Sequence, residues 1–251
     1  MGQKYELFGA FAARYDLHTP PDNYRGDHEL VLDELGRFGP GARVLDLGCG
    51  TGVFLQRARD AGFDVSGIDI SREMIALAEQ RLGPGVVRVQ RLQDLAEREA
   101  YDALVSLSLP FNYCASVSEA REALAGFHRA LRPGGLLLLQ VIHAANAPGR
   151  LIEEWEPGPG GERDIQFLCR FEAEPEGGEP ILRVQYVYSC RSLNELLYEE
   201  HILNIADVNL LAELFRETGF SGVRIYGDSQ RNWPSRSVAP FVLGFRPAVV
   251  K

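Results

Sequence analysis

Between residues 43 and 142, short runs rich in Val, Ile and Leu alternate with stretches whose apolar positions recur at helical spacing. Arg43–Leu47 reads as a strand that Gly48–Gly52 interrupts, and a helix from about Val53 to Ala61 follows and stops at Gly62. Asp64–Ile70 predicts a second strand. Ser71 can cap the next helix, in which Met74, Ile75, Ala78 and Leu82 share one face. Gly83-Pro84-Gly85 ends it, and Val86–Gln90 is a third strand. After a fourth strand, Tyr101–Leu107, Ser116 and Glu119 form a capping box for a helix with Leu124, Phe127, His128 and Leu131 on its buried face. Arg132-Pro133-Gly134-Gly135 then turns the chain into a fifth strand, Leu136–Ile142.

Strands joined through helices, with no hairpin signals between them, pair in parallel and are covered on both faces. Beyond Ile142 the period falls to two: Ile165, Phe167, Cys169 and Phe171, and then Leu182, Val184, Tyr186, Tyr188 and Cys190, alternate with more polar residues. Glu172–Pro180 reads as a loop between them, and Leu196–Leu203 as a third antiparallel strand. Helical spacing returns at Val208, Leu211, Ala212, Leu214 and Phe215, and Val223–Tyr226 and Val238–Phe245 complete the strands. Residues 1–38 are expected to be helical, with Tyr- and Pro-rich material at Asp16–Tyr24 between two helices. The expectation is a doubly wound, Rossmann-like α/β core: a mostly parallel seven-stranded sheet with helices on both faces and an antiparallel strand insertion.

Composition narrows the function. The 251 residues are 45% hydrophobic and 24% charged, enough for one large core without disulfides or a structural metal. Twenty-six Lys and Arg against thirty-five Asp and Glu leave a net charge of -9, so nucleic acid and anionic membranes are poor partners. Cys49, Cys114, Cys169 and Cys190 form no C-x-x-C pair, which argues for free thiols and against a zinc site. The start lacks the apolar stretch of a signal peptide, and the longest apolar run is far short of a membrane span, so a soluble cytoplasmic protein is expected.

The informative segment is Val44-Leu45-Asp46-Leu47-Gly48-Cys49-Gly50-Thr51-Gly52. A glycine-rich turn between a first strand and a first helix lets backbone approach a ligand at the carboxyl edge of the sheet, where the helix N-terminus offers free N–H groups. A pyrophosphate-cradling fingerprint would place its third glycine at position 53, which is Val53. With Asp46 two residues ahead of the first glycine, the turn suits a ligand that lacks phosphates and carries a positive end.

This segment resembles the first motif of class I S-adenosylmethionine-dependent methyltransferases, and the chain from about residue 40 to 142 follows that family's order. The resemblance implies that Asp46, Gly48, Cys49 and Gly50 hold the cofactor and that Asp69, ending VSGIDIS, accepts both ribose hydroxyls. Ile70 and Met74 would flank the adenine, and Asp94 in RLQDL, with Leu95 beside it, would lie near the adenine amino group. YDALVSLSLPFNYC, whose fourth strand ends at Leu107, and LRPGGLLLLQ resemble the fourth- and fifth-strand motifs, and Leu107 joins the cofactor set. Phe11–Asp16 with Asn23-Tyr24 is similar to the lid helices of small-molecule members, where Tyr15 and Tyr24 would close over the methionine end. The insertion resembles that of glycine N-methyltransferase and amino-sugar N,N-dimethyltransferases. The implied division is a lid at 1–38, a cofactor-binding core at 39–149 and 204–251, and a substrate cap at 150–203.

His143, following the fifth strand at the ligand-binding edge, is the candidate general base, or else a polar residue where the strand leaves the core. His201 is a weaker candidate, and His128 lies on a core-facing stripe. Arg183, Tyr186, Tyr188 and Tyr198 line a substrate pocket or form cross-strand pairs. Ser108-Leu109-Pro110-Phe111 departs from the D/N-P-P-Y/F of nucleobase- and amide-directed enzymes, and no metal-ligand cluster supports catechol-type chemistry. The expected function is methyl transfer from S-adenosylmethionine, with S-adenosylhomocysteine as product, to N or O of a small molecule, by a monomer or homodimer. The alternatives are a protein that binds S-adenosylmethionine without transferring methyl, and an NAD-type oxidoreductase.

Overall fold

The computed structural model describes residues 5–147, 149–176, 179–233 and 236–248. Residues 1–4 of the expected lid, 148, 234, 235 and 249–251 of the expected core, and Gly177 and Gly178 of the expected loop lie outside them.

The N-terminal segment is helical, as its spacing predicts, but in short pieces. Single 3-10 turns precede α1 (Tyr15–His18), and another leads into α2 (Arg25–Leu35). The core then runs β1 (Arg43–Leu47), α3 (Val53–Asp60), β2 (Asp64–Asp69), α4 (Arg72–Leu82), β3 (Val87–Val89), β4 (Tyr101–Ser106), α5 (Val117–Ala130) and β5 (Leu131–Gln140). Four strands follow, β6 (Leu151–Gly158), β7 (Gly161–Glu176), β8 (Glu179–Cys190) and β9 (Glu195–Leu203), before α6 (Val208–Glu217), β10 (Ser221–Tyr226) and β11 (Phe241–Phe245).

Seven strands form one sheet in the order β10-β11-β5-β4-β1-β2-β3. Its five β1–β5 members are parallel, and β11 enters antiparallel between β5 and β10. This is the doubly wound sheet that the alternation of strand and helix implies. The strand period of two sorts the core into layers. Leu45, Leu47, Leu104, Leu137 and Leu139 pack with Phe127 of α5 and Phe215 of α6. Their neighbours Val44, Ala103, Val105, Leu136 and Leu138 pack with Leu30 and Val31 of α2 and Phe54 of α3. Burying each of these Val, Leu and Phe side chains contributes roughly 1.5–3 kcal/mol.

Two helix starts follow their sequence signals. Ser71 Oγ accepts from Met74 N at 3.0 Å. Ser116 Oγ accepts from Glu119 N at 3.2 Å while the Glu119 carboxylate reaches back to Ala115 N.

Residues of the second sheet run as an antiparallel meander, β6-β7-β8-β9. Its first strand, Leu151–Gly158, carries no clean alternation and is not foreseen from sequence; pairing with β7 makes it a strand. The expected loop Glu172–Pro180 is also corrected. Backbone pairing continues from Glu172↔Arg183 to Glu176↔Glu179, because ladder hydrogen bonds along a long hairpin override the weak strand propensity of Glu and Pro. No helix among the described residues is long and apolar enough to cross a membrane.

Candidate active site

Parallel strands bring their carboxyl ends to one edge, and the turns that leave them line a cavity of about 580 Å³. Gly48, Cys49 and Gly50 line it after β1, Asp69 and Ile70 at the end of β2, Leu92 and Gln93 after β3, and Leu107 and Ser108 after β4.

The glycine turn is held by the strand beside it. Gly48 N and Cys49 N both donate to Ile68 O, at 2.8 and 2.9 Å. Gly48 has a φ of 83°, and a Cβ there would lie 2.4 Å from Pro110 Cγ, so no other residue fits the turn. Pro110 is carried there by Ser108 and Leu109, two non-glycine residues with φ of 58° and 75°, and Gln140 Oε1 accepts from Ser108 N at 2.9 Å to hold the bend.

Asp69 presents a fixed carboxylate. One oxygen accepts from Gly50 N and the other from Ser71 N, each at 2.9 Å, leaving further lone pairs on both. Burial raises its pKa while those N–H groups lower it. Asp46 differs: it is 3% exposed, and its Oδ1 has no hydrogen-bond partner. Burial, followed by the charge of Asp69, pushes it up to about 8. A buried acceptor aimed at a cavity without a donor fits a ligand that brings one. Cys49 lies beside it, its pKa raised by burial so that it stays a thiol.

Tyr15 and Tyr24 also line the cavity, and burial raises both pKa values. The N-terminal segment is tied to the core: Ser71 Oγ donates to Phe8 O at 2.6 Å and Thr51 Oγ1 donates to Asp16 Oδ1 at 2.7 Å. Met74, 2% exposed, and Ile70, 62% exposed, also face the cavity.

Three expected residues fall elsewhere. Asp94 is exposed and does not line the cavity, and Leu95 is buried in the helix layer against α5. The third strand ends at Val89, so the 3-10 turn Leu92–Asp94 directs Leu92 and Gln93 to the cavity instead. His143 is also absent from the lining. Its Nδ1 accepts from Val208 N at 3.4 Å and lies 3.8 Å from Asp207 Oδ1, so it braces the start of α6. His128 packs edge-on against Phe220 in the helix layer.

Sequence reasoning passed over the far end of the cavity, formed by Tyr5, Phe8, Tyr113, Ile202 and Asn204. Tyr113 lies within the quoted fourth-strand motif, which is the only local signal it carries. Behind it stands His201, with no exposed surface, 2.6 Å from the Tyr113 hydroxyl. Tyr186 packs edge-on against His201 at 4.6 Å, Tyr188 is buried near Phe11, and Arg183 pairs with Glu200. Tyr198 is 62% exposed. None of these last four residues lines the cavity.

Comparison with known proteins places the chain in a family. A methyltransferase-domain family profile matches residues 44–135. The chain is 33% identical over 236 residues, 91% of its length and 92% of the relative's, to the "Putative methyltransferase YqeM" of Bacillus subtilis (strain 168). It is 30% identical over 149 residues, 59% of its length and 57% of the relative's, to a malonyl-[acyl-carrier protein] O-methyltransferase of Pseudescherichia vulneris. Among solved structures, Streptomyces venezuelae DesVI superposes with a TM-score of 0.74 over 95% of this chain and 98% of that one, at 20% identity. The S-adenosylmethionine-bound amino pentose methyltransferase CalS10 of Micromonospora echinaspora gives 0.67 over 90% and 95%, at 22% identity. Identity at this level along nearly the whole of both chains, together with the family profile, shows that the chain belongs to the S-adenosylmethionine-dependent methyltransferases.

Proposed function

We propose that the protein transfers a methyl group to nitrogen or oxygen of a small-molecule acceptor by in-line displacement. The observation that carries this reading is a single cavity running from the glycine turn and Asp69 to an aromatic end at Tyr5, Phe8 and Tyr113. Its volume of about 580 Å³ lies within the roughly 300–1,000 Å³ of small-molecule sites.

S-adenosylmethionine supplies an electrophilic methyl on a sulfonium with a good leaving group. Asp69 would accept the ribose hydroxyls through its remaining lone pairs, and Asp46 would receive the ammonium of the methionine end. Gly48, Cys49 and Gly50 would let backbone close on the nucleoside, with Ile70, Met74 and Leu107 as apolar walls. Leu92 and Gln93, rather than Asp94 and Leu95, would meet the adenine. Residues 5–38 act as a lid in this reading, with Tyr15 and Tyr24 excluding water, and β6–β9 as a cap. Much of the acceleration then comes from proximity and exclusion of water.

The cavity bears on the acceptor. Arg91 is a cation among its lining residues and is bonded to Glu119 at 2.8 Å. A carboxylate acceptor such as the name of the Pseudescherichia relative implies would lack a counter-charge there, whereas amines and hydroxyls would not need one. An amino pentose methyltransferase and a sugar N-methyltransferase among the superposable structures are in keeping with this.

Thermal shift with S-adenosylhomocysteine, with NAD as control, tests the cofactor. Saturation at about 100 times Kd adds roughly 2.7 kcal/mol, or about 5–10 °C for a chain of this size. Asp69→Ala is expected to weaken that binding more than about tenfold through loss of charge-assisted hydrogen bonds. Turnover across a panel of amines, hydroxylated aromatics and amino sugars then tests transfer; methylated product from any of them excludes a binding-only protein.

A further inference from the structure

We propose that Tyr113, His201 and Glu199 form a proton relay at the acceptor end of the cavity, and that the acceptor is an amine arriving as its ammonium. This rests on the methyl-transfer reading above.

His201 on β9 has no exposed surface, and both ring nitrogens are engaged: Nδ1 with Tyr113 Oη at 2.6 Å and Nε2 with Glu199 Oε2 at 3.0 Å. The Glu199 carboxylate also accepts from Glu6 N at 2.7 Å and Leu7 N at 3.0 Å, which fixes it in place. A carboxylate only accepts, so Nε2 carries the imidazole proton and Nδ1 is the acceptor. The Tyr113 O–H therefore donates to Nδ1. Three polar groups stand in line, and the first of them lines the cavity.

The surroundings suit proton transfer. Tyr5 stacks on the His201 ring at 3.7 Å, and Tyr186 and Phe8 meet it edge-on at 4.6 and 5.5 Å, which shuts water out. The titratable groups that face the relay are Tyr5 from the N-terminal segment, Tyr15 of α1, Cys169 of β7, Tyr186 of β8 and Glu199 on the histidine's own strand. Burial outweighs the bond to Glu199 and holds the pKa of His201 below the ordinary imidazole value, in keeping with a neutral ring whose Nδ1 accepts. Two of the relay's anchors, Glu6 N and Leu7 N, belong to the N-terminal segment, so a lid that opened would also release Glu199.

Aromatic rings at this end point to the acceptor's charge. Tyr5, Phe8, Tyr15 and Tyr113 form a continuous wall with centroids 5.4–6.4 Å apart between neighbours. Such faces attract a cation. An ammonium has no lone pair and becomes a nucleophile only after losing a proton. In the proposed step the ammonium N–H bond breaks and its proton passes to Tyr113 Oη as the Tyr113 proton moves to His201 Nδ1. The freed nitrogen pair forms the N–CH3 bond as the S–CH3 bond breaks, its electrons staying on sulfur. The extra proton rests on the imidazolium, paired with Glu199, and leaves to solvent when the product does. Tyr113 meets the acceptor; His201 and Glu199 act through it.

The test is the pH dependence of methyl transfer to ethanolamine, benzylamine and glucosamine beside phenolic and hydroxyl acceptors. Tyr113→Phe, which keeps the ring, and His201→Gln should each lower kcat for amines about 100-fold at pH 7. S-adenosylhomocysteine affinity should stay within about twofold in both, a readout independent of turnover. The variants should regain rate about tenfold per pH unit as the free amine accumulates below its own pKa, which a structural defect would not do. Nitrogen-15 NMR of histidine-labelled protein should show the His201 proton on Nε2 and a shift of Nδ1 in Tyr113→Phe. Wild-type rates in Tyr113→Phe, a loss that high pH does not restore, or a proton on Nδ1 would overturn the relay and leave the transferase standing. Turnover confined to hydroxyl acceptors overturns the amine assignment. No turnover of any acceptor by protein that binds S-adenosylhomocysteine overturns the transferase reading, and the relay with it.

Discussion

Arg81 on α4 clasps Asp16 of the N-terminal segment, its Nη2 donating to Asp16 Oδ2 at 2.6 Å. Arg81 Nη1 donates to the Thr51 backbone carbonyl and, at 3.0 Å, to Thr51 Oγ1, so the N-terminal segment, the glycine turn and α4 meet in one polar knot. Both partners are about one-third exposed, and water screens the pair to roughly 1 kcal/mol. Asp16→Asn should weaken S-adenosylhomocysteine binding about fivefold by loosening the N-terminal segment, with little change in the melting temperature of the unliganded protein. Calorimetric titration measures it; unchanged affinity means that this segment does not act as a lid through Asp16.

Asp46 sets a pH dependence whose sign follows from its raised pKa. With a folded value of about 8 against an unfolded value near 3.8, the folded protein binds the extra proton between those limits. This group's contribution to stability is therefore present at low pH and is lost as pH rises from about 4 to about 8, a few kcal/mol in all. Asp46→Asn should raise the unliganded melting temperature at pH 8 more than at pH 5 and at the same time weaken S-adenosylmethionine binding. Melting curves across that range, with and without ligand, separate the two effects.

Gly48 is a position where any side chain breaks the site. Gly48→Ala forces a Cβ to 2.4 Å from Pro110 Cγ at a φ of 83°, so the turn or the Pro110 bend must move. Loss of S-adenosylhomocysteine binding by more than about tenfold is expected, along with a lower melting temperature. Isothermal titration of the variant measures the first, and a variant that binds like wild type would show that the turn can relax.

His143, the residue that sequence position recommended as a base, should behave as a brace. His143→Ala removes the acceptor for Val208 N at the start of α6 and should cost about 1–2 kcal/mol of stability. The pH profile of transfer should keep its wild-type shape, read from kcat against pH.

The order of strands and helices from β1 to β5 was legible because each element declares itself locally, by a period of two or of 3.6 with Gly, Pro and Ser at the ends. Asp46, Gly48 and Asp69 were legible for the same reason: all lie at the carboxyl ends of the first two strands, where a parallel sheet exposes its edge. Asp94 stands off the cavity that Leu92 and Gln93 line because a 3-10 turn decides which of these side chains looks inward, a choice that no periodicity encodes.

The amino-acid sequence by itself determined the doubly wound sheet, the glycine turn and the acids beside it, since these depend on neighbours within a few residues. Tertiary structure alone decided the rest. Tyr113 and His201 are 88 positions apart, and β6 is a strand because β7 lies beside it. Which polar groups share a desolvated space depends on how distant segments pack, and packing withdraws water from Tyr113, His201 and Glu199 together in a way their local sequence does not record.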